Sequence, residues 1–161
     1  MAKRIFTVEE ANELIPLLDS VLKEMDRRKV QARHHHRKMQ VLDALWGDEV
    51  LDPSNPDHDE YQDHKTGLER SIKEIERLID EEIQGRGLRF PSGGLEHGLI
   101  DFPSTYEGRW VFLCWKHGEE DVGFWHELEG GFRGRQEITD EQVGAMGQEE
   151  PDLDGLEPPT F

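Results

Sequence analysis

GLIDFPSTYEGRWVFLCWKHGEEDVGFWHELEGGFRGR, residues Gly98 to Arg135, is the stretch on which the fold turns. It holds every Trp except Trp46, the only Cys, and both His117 and His126, so aromatic bulk and chemically versatile groups coincide here. Trp110 to Trp115 (WVFLCW) is dense in strand formers, and Val122 to Leu128 alternates with the period-two pattern of a second strand. Lys116 to Asp121 (KHGEED) between them reads as a turn, which makes the pair an antiparallel hairpin. A turn centred near Glu119 sets Phe112 opposite His126 and Cys114 opposite Phe124, so that Cys114 and His126 become diagonal neighbours on one face. Both faces of Trp110–Trp115 are apolar, which marks a central strand covered on both sides. Leu95 to Phe102 supplies a third strand.

Upstream of this region the period changes to helical. Apolar residues recur at Val8, Ala11, Leu14, Ile15, Leu18, Val21, Leu22 and Met25, and resume at Ala32, Met39, Leu42 and Leu45. This spacing predicts a helix over about Val8 to Trp46, roughly 58 Å long at 1.5 Å per residue. Thr7 and Glu10 stand at capping-box spacing, with Phe6 ahead of them as a hydrophobic staple. Pro16 removes one backbone donor, and predicts a kink near Asn12–Pro16 or a short helix that restarts there. Gly47 to Asp57 is a Pro-containing loop. A second helix from about Asp57–Glu60 carries Tyr61, Leu68, Ile72, Ile75, Leu78, Ile79 and Ile83 on one stripe, and Gly85 and Gly87 end it. Two long helices joined by a short loop pack antiparallel. The expected fold class is therefore α+β: a long antiparallel helical hairpin over residues 7–85, then a small antiparallel sheet of about three strands over 88–138, packed against one end of it as a single domain spanning 1–138. Residues 139–161 are acidic, lack Lys and Arg, and read as a disordered tail.

Composition narrows the function classes. Nineteen basic residues against 36 acidic ones give a formal net charge of −17, a field that repels phosphate backbones and anionic lipid. Nucleic acid and membrane surfaces are excluded as partners on this ground. One cysteine allows no internal disulfide, and the start MAKRIFTVEE has no signal-like apolar run, so a cytoplasmic location with Cys114 as a reduced thiol is expected.

FTVEEANELIPLL near the start, GLIDFP at Gly98–Pro103, GRWVFLCWKHGE at Gly108–Glu119, FWHE at Phe124–Glu127 and GGFRGR at Gly130–Arg135 together resemble a bacterial family known as domain of unknown function 2203. The resemblance covers residues 4 to about 138. It implies the architecture and no activity.

Three groups of residues have the chemistry of a site. Cys114 and His126 share a face, Asp101 approaches from the preceding strand, and His117 or Glu120 can join from the turn. Thiolate, imidazole and carboxylate together suit zinc or another divalent transition metal. The same residues also read as a packed Cys with a hydrogen-bonded His, since neither CxxC nor HExxH is present. Arg133 and Arg135 lie among the glycines of GGFRGR, where guanidinium groups and a close backbone suit an anion; ion pairs with this chain's own carboxylates are the plainer alternative. His34–His36 cannot chelate from one helix face because neighbours point about 100° apart, but His35 and His64 both fall on the apolar stripes. The stripes around Met39, Leu42, Leu45, Tyr61 and Leu68 extend beyond what a three-stranded sheet can cover, which points to a homodimer through the helices. The first expectation is an interaction or ligand-binding protein with a metal site on the sheet. The alternatives are a hydrolase-like metal enzyme using Asp101, Cys114 and His126 with Glu120 or Glu127 as acid/base, and an adaptor acting through its hairpin.

Overall fold

The computed structural model describes residues 4–152. Its chain forms two compact units, one of Met1–Leu22 with Glu81–Phe161 and one of Lys23–Asp80. The boundary falls within the first helix and at the end of the second, where the sequence suggested a single domain.

Helix α1 spans Val8–Trp46. The predicted capping box forms in both directions: the Glu10 amide donates to Thr7 Oγ1 and the Thr7 amide to Glu10 Oε1, each at 3.1 Å. Those bonds hold the Glu10 carboxyl below its ordinary range, the Thr7 backbone bond contributing most. The helix runs unbroken through Pro16 rather than restarting there. Proline costs one backbone bond, and the ladder on either side outweighs that loss where the ring faces solvent, as it does here. Helix α2 spans His58–Leu78 and passes through a π turn, Ile79–Ile83, and a 3-10 turn, Gln84–Arg86, into Gly87 at φ +84°. Gly87 is needed there because an L side chain strains in the left-handed region.

Within Lys23–Asp80 the two helices form the predicted antiparallel hairpin. Trp46 Nε1 donates to Asp57 Oδ2 at 2.8 Å near the loop, and His35 Nδ1 stands 3.0 Å from His64 Nδ1 further along. Gly67 makes this second contact feasible, since a Cβ there would overlap the His35 ring. A glycine inside a helix costs about 1 kcal/mol relative to alanine, so the seat for His35 is maintained against local propensity. Of the stripe expected to lie bare, Leu42 is buried and Met39, Tyr61 and Leu68 are half-buried, while Leu45 is 66% exposed. The hairpin itself thus covers much of what a second copy was expected to cover.

The His35 imidazole has a pKa below the usual histidine value, because of burial first and then the neighbouring charges of His64 and His34. A base whose folded pKa is depressed takes up protons more readily in the unfolded chain. Its contribution to stability is complete above the unfolded value of about 6.5 and is lost as the pH falls below that value. Glu60, 3.7 Å from His64 Nε2, is the one carboxylate that an ion pair places on this cluster among the described residues. The expected result is an NMR titration midpoint for His35 below 6.5; a midpoint above 6.5 would mean that Glu60 outweighs burial.

In the other unit α3, Gly94–His97, precedes four antiparallel strands in the order β1 (Leu99–Tyr106), β2 (Arg109–Lys116), β3 (Phe124–Glu127) and β4 (Gln136–Glu137). The fold is α+β with a helical hairpin and a small antiparallel sheet. The register matches the expectation, with Phe112 opposite His126 and Cys114 opposite Phe124. The β2 strand is interior, and six consecutive residues of it, Trp110–Trp115, are buried. One face of the sheet carries Ile100, Phe102, Val111, Leu113, Trp115 and Trp125, all buried. The start of α1 joins this side: Phe6 meets Phe102 edge-on at 5.5 Å, and the Asn12 side chain accepts from the Val122 amide at 2.7 Å. The strand expected from Leu95 starts later, because Gly94–His97 forms a helical turn. A fourth strand of only two residues is too short to show as periodicity.

Residues 139–152 differ from the expected disordered tail; the rest of it, 153–161, lies outside the described residues. Helix α4, Asp140–Ala145, opens on a reciprocal capping box between Thr139 and Gln142. Met146 is fully buried, the Gly147 amide donates to the Thr105 carbonyl at 2.8 Å, and the Asp152 amide donates to Gly108 at 2.9 Å. One buried methionine and a line of backbone bonds overcome the acidic composition. Truncation after Ile138 is accordingly expected to lower the melting temperature by more than about 5 °C, on the order of a kilocalorie for a domain of this size. An unchanged transition would show that the segment does not dock in solution.

Candidate functional site

The second face of the sheet converges on three ionisable side chains from three strands. Asp101 in β1 and Cys114 in β2 are direct register partners, and His126 in β3 is diagonal to Cys114. Direct and diagonal neighbours on one face lie within side-chain reach, and one donor atom from each residue falls within 4.8 Å of the other two. All three residues are 0% exposed.

A fourth residue, Arg89, extends this row. It pairs with Asp101 as an isolated bridge beyond β1, its amide and carbonyl both bonded to the Asp101 backbone. Its guanidinium donates to Asp101 Oδ2 at 3.1 Å and lies 3.8 Å from the centroid of the Phe112 ring. Sequence reasoning missed Arg89. The only signal was a short LRF run between Gly87 and Pro91, too brief for a strand pattern.

Hydrogen bonding fixes what His126 can be. Its Nδ1 is 2.8 Å from the carbonyl oxygen of Glu127, and a carbonyl only accepts, so Nδ1 carries a hydrogen. Its Nε2 is 3.0 Å from Asp101 Oδ1. Both ring nitrogens therefore face acceptors, and the 3.0 Å contact between Nε2 and the carboxylate is bridged by a proton. Burial pulls the His126 pKa down, but the hydrogen bond and charge of Asp101, with the Glu127 carbonyl, outweigh it, and the net direction is up.

The Cys114 thiol is pushed up to about 12, by burial first and then by the charge of Asp101. It is a protonated thiol at neutral pH unless a metal displaces its proton, so it is no activated nucleophile. Ellman-type reagents at pH 8 are expected to react with Cys114 at least about a hundredfold more slowly in the native chain than in denaturant. Comparable rates in the two states would overturn the buried-thiol assignment.

The remaining sequence candidates lie elsewhere. His117 Nε2 is 2.8 Å from Asp19 Oδ1, and Glu120 is exposed on the turn. Glu127 is held in a two-toothed ion pair by Arg109, at 2.5 and 3.0 Å, which lowers its pKa. Neither acid/base candidate reaches the cluster. Arg135 is also engaged: its guanidinium donates to Glu119 Oε1 at 2.6 Å and to the Cys114 carbonyl at 3.2 Å, and stacks 4.0 Å from the Phe124 ring centroid. Arg133 stands exposed on the neighbouring 3-10 turn, Phe132–Gly134. The ion-pair alternative thus describes Arg135.

A family model described as an uncharacterized conserved protein, DUF2203, matches residues 4–138. The chain belongs to this family. Asp101, Cys114, His126 and Arg89 all fall inside the matched range, and α4 falls outside it. No curated protein and no solved structure matches the chain. Among the described residues, no helix is long and apolar enough to cross a membrane.

Proposed function

We propose that this DUF2203 protein is a small metal-binding protein, in which Asp101, Cys114 and His126 hold one zinc-class divalent ion at the centre of the sheet. The observation that carries the proposal is the hydrogen-bonding of His126. A metal-ligating histidine characteristically donates its other ring N–H to a backbone carbonyl or carboxylate, which aims the free lone pair at the ion. His126 makes that bond to Glu127, its Nε2 meets the Asp101 carboxylate, and one of its ring nitrogens lies within 4.8 Å of the Cys114 sulfur.

Charge supports the same reading. Without metal the cluster contains a carboxylate, an imidazolium, the Arg89 guanidinium and a neutral thiol. A divalent ion that displaces one proton from His126 and one from Cys114 leaves the formal charge unchanged, so the buried site accepts it without new uncompensated charge. Size is compatible as well. Metal–donor bonds of about 2.0–2.3 Å set donor–donor separations of about 3.3–3.8 Å in a tetrahedron. The present spread of up to 4.8 Å closes to that with side-chain adjustments of about an ångström.

The complete burial of the three residues favours a closed, structural or storage role over catalysis, because a catalytic metal keeps a position open to substrate. Calorimetric titration of chelator-treated protein with zinc tests the proposal. One saturable site that His126→Gln and Cys114→Ser each weaken by at least about tenfold supports it. No saturable binding would leave the cluster as a structural Arg89–Asp101–His126 network, the second reading, which the 3.0–3.1 Å bonds at Asp101 favour.

A further inference from the structure

The Lys23–Asp80 unit carries a groove of about 540 Å³, distinct from the sheet cluster, with Arg28, Gln31, His34, Arg37, Arg70 and Ser71 among its walls. Among the described residues, no carboxylate lines it. That is unexpected for this chain, in which 36 of 161 residues are Asp or Glu, since about two of the nine lining residues would be acidic on composition alone. Of the acids close to these residues in sequence, Glu24 accepts from Arg27 and Arg28, Glu74 accepts from Arg77, and Asp26 stands 3.8 Å from Lys29, while Glu69, beside Arg70, is exposed and is not among the groove's walls. Arg37 and Arg70, one from each helix, have no ion-pair partner among the described residues. The floor is shaped as well, since Gly67 leaves the space in which the His35 ring stands against His64.

We infer that this groove binds a small, multiply charged oxyanion of the phosphate class, with Arg37 and Arg70 as its principal contacts. The guanidinium fork matches two oxygens of one phosphate group, and two unpaired forks on facing helices match an anion with at least two charged ends. The volume lies within the range of small-molecule sites. The net charge of −17 selects for a compact ligand. A nucleic acid or an anionic bilayer would set many phosphates against the acidic remainder of the surface, whereas an anion inside the groove is screened from charges beyond about 8 Å at physiological ionic strength.

Calorimetric titration of the full chain with inorganic pyrophosphate, in low salt at pH 7.5 and without divalent ions, tests this apart from the metal site. One saturable site is expected, and R37Q/R70Q should weaken it by at least about tenfold. Both side chains are exposed, so the helical circular dichroism of the variant should be unchanged; if it is not, R37Q and R70Q singly carry the same comparison. Absence of saturable heat up to about 5 mM, or equal binding by the variants and the parent chain, overturns the inference.

Discussion

Trp115→Ala is expected to cost about 3–5 kcal/mol of folding stability, enough to unfold a marginal domain. Trp115 is 1% exposed, opposite Ile100 in the interior strand. Its indole Nε1 donates to the Glu119 carbonyl at 2.9 Å, so the side chain also ties the β2–β3 connection to the strand that precedes it. Alanine removes a fully buried indole from the sheet and leaves that carbonyl without its donor. Trp115→Phe keeps most of the apolar volume and should cost clearly less. Equilibrium urea unfolding of both variants reads the difference. A loss below about 1 kcal/mol for the alanine variant would mean that the core of the sheet collapses around the gap or was never closed.

The second large effect is the pH dependence of metal affinity. Two protons leave when the ion enters, from a His126 whose pKa is raised and from a Cys114 thiol pushed up to about 12. Metal competes with those protons, so affinity rises with pH. While both groups are protonated in the metal-free chain, the slope is about a hundredfold per pH unit; above the His126 midpoint only the thiol proton remains and the slope falls to about tenfold. Zinc titrations in buffers of different ionisation enthalpy at pH 6 should report close to two protons released. Release of none would exclude Cys114 and His126 as ligands, even if zinc binds elsewhere.

The sequence made the hairpin register legible because a two-sided apolar strand, a turn of charged residues and an alternating strand admit little slippage; Phe112–His126 and Cys114–Phe124 follow directly from it. Asp101 was assigned only to the preceding strand, and its pairing with Cys114 emerges in the fold. Arg89 was not legible, since a single bridge beyond β1 has no periodicity to reveal it. The docking of residues 139–152 was hidden because backbone hydrogen bonds and one buried Met146 stabilise it, while composition reports only its acidity. The unpaired arginines of the hairpin were equally invisible, because pairing depends on which carboxylates the two helices bring alongside. The His35–His64 contact was half legible: both residues were placed on facing stripes, but the role of Gly67 in seating the ring emerges only when the helices are packed.

Elemental analysis of the full chain, expressed without a histidine tag and exchanged into metal-free buffer, decides whether Asp101, Cys114 and His126 hold an ion. Close to one zinc-class ion per chain is expected, reduced to background in both Cys114→Ser and His126→Gln. Metal content at background in the parent chain, with no uptake on supplementation, would contradict it.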